Sequence, residues 1–195
     1  DKVAATTLPR LRTTKQITAL AQRLADRFES EGDGDAAWRL YELAAFYLGS
    51  DDPRKHRFID AMSRSFDEAH RGLALTRHAV PYRGGELTAM RWGADPADLA
   101  QAPAGTPTTL VIMNGFDGYA EEIIDFASHF PARPFDIITF DGPGQGHTAV
   151  AGMPLEPEWE HPTDAVLDYF GVTSAAALGV SFGGYLVMRA AAHCP

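Results

Sequence analysis

Four apolar residues in succession, Leu110-Val111-Ile112-Met113, leave no polar face on either parity. A strand of that kind must be buried on both sides. Phe135-Asp136-Ile137-Ile138-Thr139-Phe140 is a second buried strand, and the run Ala175 to Leu178 is a third. Helical stretches separate them: one carries Ile123, Ile124, Phe126, Ala127 and Phe130, and another runs from Asp164 to Phe170. A further helix-like run, Tyr185 to His193, follows the third strand. Upstream, Ala74 to Val80 and Glu86 to Trp92 read as antiparallel partners across the turn Arg83-Gly84-Gly85. Residues 72–195 therefore read as hairpin, strand, helix, strand, helix, strand, helix. Such alternation predicts the α/β class, a mostly parallel sheet with helices on both faces and right-handed crossovers.

Residues 1–71 have a different period. Ile17, Leu20, Ala21, Leu24 and Phe28 recur at helical spacing behind a cap at Thr13 or Thr14. Gly32-Asp33-Gly34-Asp35 breaks that helix. A second helix presents Trp38, Tyr41, Ala45 and Leu48 and stops at Gly49. Asp52-Pro53 is a cap with a first-turn proline for a third, carrying Phe58, Met62, Phe66 and Ala69. Aromatics at this spacing (Tyr41, Phe46, Tyr47, Phe58, Phe66) are expected to pack a core, with pocket lining as the alternative. Residues 94–107, rich in Pro and Ala, read as a loop.

Bulk properties narrow the partners. The net charge is -9 and hydrophobic residues make up 45%, so a folded acidic domain is expected, one that repels nucleic acid. The one cysteine, Cys194, permits no intrachain disulfide, which fits a reducing compartment and makes a cytoplasmic location the expectation. No apolar run approaches the roughly 20 residues that span a membrane, so no membrane association is expected.

The chemistry concentrates after the three buried strands. Gly179-Val180-Ser181-Phe182-Gly183 lies between strand and helix, the setting of a nucleophile elbow, and nominates Ser181 as nucleophile. A serine hydroxyl needs an adjacent base, and acyl transfer needs two N–H donors aimed at the oxyanion. The amide of Phe182 is one donor. The loop Asn114-Gly115-Phe116-Asp117-Gly118 follows the first buried strand and offers Phe116 as the other, with Asn114, Gly115 and Asp117 as pocket candidates. Asp117, Glu121 and Glu122 stand near the start of the next helix, where complementing its dipole is the expected role. Asp141-Gly142-Pro143-Gly144-Gln145-Gly146-His147 follows the second strand. It lacks the G-K-[ST] ending of a phosphate loop, so a structural turn is expected, with His147 a solvated loop residue. No metal motif and no dinucleotide fingerprint is present, so no metal and no cofactor is expected.

Asn-Gly-Phe-Asp-Gly, Phe-Asp-Gly-Pro-Gly-Gln-Gly and Gly-Val-Ser-Phe-Gly-Gly, in this order and spacing, resemble the α/β-hydrolase superfamily. The resemblance is to its branch with an amino-terminal helical segment, which includes 2,6-dihydropseudooxynicotine hydrolase, fungal polyketide-shortening hydrolases and FrsA-like esterases. It covers residues 72–195 by motif and the preceding helices in kind. It implies an α/β-hydrolase core, a helical cap-like segment over 1–71, and a small-molecule substrate, either a diketone-like compound cleaved at a C–C bond or an ester. It also carries the nucleophile onto Ser181 and the oxyanion donors onto Phe116 and Phe182.

In this superfamily the order is serine, acid, histidine. After Ser181 there is no Asp or Glu, and His193 lies twelve positions along the same helix. At a rise of 1.5 Å per residue that is roughly 18 Å from the nucleophile. The strand entering the elbow is also expected to be central in its sheet, not an apolar edge. The expectation is therefore that acid and base come from a carboxyl-terminal remainder of the protein, in the same or a separate chain. Three readings stay open: a serine hydrolase, a non-hydrolytic relative (acyltransferase, cyclase or lyase), and a binding module with an incomplete triad. A homodimer is an open arrangement.

Overall fold

The computed structural model describes residues 11–194. They divide into two compact units, the boundary falling between Gly72 and Leu73, taken in turn.

The first unit is built from α1 (Thr14–Ser30), α2 (Gly34–Phe46) and α3 (Pro53–Ala69). Thr13, Asp33 and Asp52 cap them, each side chain accepting a first-turn N–H, and Pro53 opens α3. Small residues at the contacts (Ala25, Ala37, Ala44, Ala45) bring the helices close, and aromatics fill what remains. Trp38 meets Phe66 edge-on at 5.4 Å, and Tyr41 stacks on Phe58 at 6.4 Å. Tyr41, Phe58 and Phe66 are thus core, whereas Phe46 and Tyr47 are exposed.

The second unit carries a sheet of β1 (Leu75–Tyr82), β2 (Gly85–Trp92), β3 (Thr109–Met113), β4 (Asp136–Asp141) and β5 (Ala176–Gly179), in the order β1-β2-β4-β3-β5. The hairpin β1–β2 is antiparallel, and β2 runs antiparallel to β4. β4 and β5 flank β3 on either side, both parallel to it. All of β3 is buried, as its unbroken apolar run requires. Alternation along the strands splits the core. Val111, Met113, Ile138 and Phe140 pack with Val166 of α7 (Glu160–Phe170) and with Leu186 and Ala190 of α8 (Gly183–His193). The other parity, Leu110, Ile112, Ile137 and Thr139, faces the side of α5 (Ala120–Ser128). Helices therefore cover both faces of a mixed sheet.

Two short helices depart from the sequence reading. The stretch read as a loop over 94–107 contains α4 (Pro96–Gln101), capped by Asp95. The turn after β4 passes into α6 (Gly146–Val150). Both lack an apolar stripe, so periodicity could not show them. Among the described residues the strand entering the elbow, expected to be central, stands at an edge of the sheet as β5, four residues long with none of them fully buried. Among the described residues no helix is long and apolar enough to cross a membrane.

Candidate active site

The parallel register aligns the carboxyl ends of β3, β4 and β5, pairing Met113 with Gly179 and Ile112 with Thr139. Three loops emerge at one end of the sheet, the end where open α/β sheets bind ligands. They are the 114–119 loop, the 142–145 loop and the elbow 180–182.

The elbow is tight. Ser181 has φ of 55°, in the left-handed region that costs a residue with a Cβ. Gly183 N–H returns to the Val180 carbonyl at 2.8 Å, and Val180 N–H donates to the Met113 carbonyl at 3.0 Å. The turn is thereby tied to the end of β3. A Cβ on Gly179 would overlap the Gly183 carbonyl, and one on Gly183 would overlap the carbonyl oxygens of Met113 and Asn114. The backbones of strand and helix meet there with no room for a side chain. Ser181 itself is exposed.

The 114–119 loop lies against this turn. A Cβ on Gly115 would stand 3.4 Å from the Ser181 Cβ and 3.8 Å from its Oγ. The rings of Phe116 and Phe182 meet edge-on at 5.9 Å, so the two residues nominated as oxyanion donors are neighbours. Among the described residues no group accepts the N–H of Phe116 or of Phe182. Asn114 is buried and shapes the loop: its Nδ2 donates to the Tyr119 carbonyl at 2.8 Å and its Oδ1 accepts the Gly115 N–H at 2.7 Å. It is a scaffold for the loop rather than an exposed pocket wall. Asp117 is exposed. Glu122 accepts the Tyr119 N–H at 2.7 Å and so caps α5, in keeping with its place in the first turn. No histidine or carboxylate among the described residues hydrogen-bonds the Ser181 hydroxyl.

Two expectations fail here. His147 is not a solvated loop residue: it stands on α6 with its Nε2 2.9 Å from Glu121 Oε1 and its ring edge-on to Tyr119. Glu121 does more than complement a helix dipole, because it is fully buried and its Oε1 also accepts from Arg77 at 2.9 Å. Asp141, at the end of β4, is also fully buried and accepts the His147 N–H at 2.9 Å. Side-chain ligand atoms of Glu121, Asp141 and His147 lie within 4.8 Å of one another, a spacing that could hold a metal ion. The guanidinium of Arg77 already supplies a positive charge to that cluster.

The cluster sets a pH dependence. Burial, then the charge of Glu121, pushes the Asp141 carboxyl up from its ordinary range, against the pull of His147. Burial alone would raise Glu121 as well. The hydrogen bond and charge of His147, with the charge of Arg77, outweigh it and hold Glu121 below its usual range. Burial would lower His147, but Glu121 and Asp141 raise it overall. Asp141 and His147 thus keep their protons to higher pH folded than unfolded. Their contribution is lost as pH rises out of the carboxylate range and through the raised His147 value, above about 6.5. Glu121 acts oppositely: its contribution is present above about 4.3 and is lost as pH falls below that. Unfolding free energy measured by denaturant titration is expected to fall from about pH 6 to pH 8.5, and Asp141→Asn to make that fall shallower. A rise over the interval, or an unchanged slope in the variant, contradicts this.

A groove of about 510 Å³ runs between α7, α8 and β5, lined by Leu167, Val172, Ala177, Val187 and Cys194 among others. Ser181, Phe116 and Phe182 are not in its wall.

No protein-family model matches the chain. It is 32% identical to hydrolase LUC6 of a Fusarium species, over 88% of this chain and 46% of that protein. It is 26% identical to alpha/beta hydrolase psoB of Aspergillus fumigatus, over 88% of this chain and 44% of that protein. Among solved structures, 2,6-dihydroxy-pseudo-oxynicotine hydrolase superposes with a TM-score of 0.64 at 21% identity, over 95% of this chain and 57% of that one. That likeness shows the fold. The chain spans about half the length of the curated relatives it matches.

Proposed function

We propose that this chain, which belongs to the α/β-hydrolase superfamily, is the nucleophile-bearing part of a serine hydrolase acting on a carbonyl compound. The observation that carries this reading is Ser181 at φ 55°, exposed, with Gly115 against it and the N–H groups of Phe116 and Phe182 without an acceptor among the described residues. Ser181 attacks the carbonyl carbon. The amides of Phe116 and Phe182 take the charge that develops on the oxygen, where preorganised donors matter most. The proton acceptor, with the acid that orients it, is supplied by polypeptide carboxyl-terminal to α8, since among the described residues no histidine or carboxylate hydrogen-bonds the hydroxyl.

The relatives are named as hydrolases, which supports the reaction type. The substrate class is proposed from chemistry alone. An ester and a C–C bond flanked by two carbonyls both present an electrophilic carbon and a leaving group that accepts a proton. The test is turnover by the full natural protein of two panels, p-nitrophenyl esters and β-diketones, in water enriched in oxygen-18. The expected product is a carboxylate carrying one solvent oxygen. Turnover without incorporation of solvent oxygen would indicate a transferase, cyclase or lyase and overturn hydrolysis.

A further inference from the structure

We infer that Gln145 is a positioning residue that holds the Gly115–Phe116 peptide in the orientation needed to receive an oxyanion, an inference that rests on the proposed hydrolase reading. Gln145 is 1% exposed, and its Nε2 donates to the Asn114 carbonyl at 3.1 Å and the Gly115 carbonyl at 2.7 Å. Two carbonyl acceptors on one end of the amide fix which end is nitrogen. The Gly115 carbonyl and the Phe116 N–H belong to the same peptide unit. All described peptide bonds are trans, and in a planar trans unit the carbonyl and the N–H point in opposite directions. Anchoring the carbonyl on Gln145 therefore turns the Phe116 N–H the other way.

The loop needs such an anchor. Gly115 has no side chain to hold its peptide, and the Phe116 N–H has no acceptor to hold it from the other side. A glycine-containing loop whose N–H is free can rotate the peptide and lose the donor. The anchor also has a visible cost, because Gln145 Oε1 is buried without a hydrogen-bond partner. A buried amide left half-satisfied is destabilising, because the oxygen has lost its water and gained no donor. An apolar residue of similar size would avoid that cost, so the donor end, and not packing, accounts for glutamine at this position. The residue sits in the 142–145 loop after β4, and its bonds tie this loop to the one after β3.

The test uses the full natural protein, p-nitrophenyl acetate as substrate and a trifluoromethyl ketone as a mimic of the tetrahedral adduct. Gln145→Met and Gln145→Glu are both made, so that one folded variant suffices. Each is expected to lower kcat by about 10- to 100-fold with KM changed less than about 2-fold, since removal of a whole oxyanion donor costs about 100- to 1,000-fold. Affinity for the trifluoromethyl ketone should fall in proportion to kcat/KM. A folded variant with wild-type kcat, or a loss of kcat matched only by the unfolded fraction in a thermal melt, overturns the role of Gln145. A wild-type protein that neither turns over the ester nor binds the ketone overturns the hydrolase reading, and this inference with it.

Discussion

Replacing Ser181 by alanine is expected to lower kcat/KM of the full natural protein by about 10⁴-fold or more. Loss of a serine nucleophile in such a site removes the covalent step, leaving only what oxyanion donors and binding contribute. Stability should hardly change, by about 0.5 kcal/mol at most, because the hydroxyl is exposed and bonded to no group among the described residues. The strain at φ 55° remains, since alanine bears the same Cβ. That combination separates the expected result from a folding defect. A variant retaining a tenth of the activity would place the chemistry elsewhere.

The second large effect is on folding. Gly183→Ala is expected to cost about 3 kcal/mol or more, at the severe end of overpacking. The added Cβ would overlap the Met113 carbonyl oxygen and reach 2.6 Å from that of Asn114. Neither can yield cheaply. Met113 ends the fully buried β3, and its carbonyl accepts the Val180 N–H that ties down the elbow. Relief requires α8 to move away from β3, which breaks that bond and spoils the turn that carries Ser181. Gly184→Ala is the control. Its Cβ would come no nearer than 4.0 Å to the Gly179 carbonyl, and alanine suits the helix better by roughly 0.5–1 kcal/mol. Thermal melts of the two variants, differing by one position, should move in opposite directions. Equal melts would show that the close approach at Gly183 is not what the fold depends on.

Local signals made the core legible in the sequence. Leu110–Met113 had no polar parity, and it is the strand flanked on both sides by parallel neighbours. Gly179 and Gly183 marked a turn where two backbones touch, and they stand where no Cβ fits. What escaped depends on partners distant in the chain. His147 looked like a loop residue because nothing near it announces burial. Its environment is made by Glu121, 26 positions upstream, which is itself held by Arg77, a further 44 away. Gln145 looked like one polar residue in a glycine-rich turn, but its partners are carbonyls 30 and 31 positions back. Backbone acceptors carry no residue-specific signature, so no motif could have pointed to that anchor. The short helices α4 and α6 were invisible for another reason: at six and five residues they are too short to show a period.

The reading turns on whether the Ser181 oxygen behaves as an activated nucleophile. Treating the folded full natural protein with a fluorophosphonate and locating the adduct by peptide mass spectrometry addresses this directly. The account predicts stoichiometric modification on Ser181, abolished by prior denaturation. An unmodified Ser181 in protein that is folded and turning over substrate would contradict it.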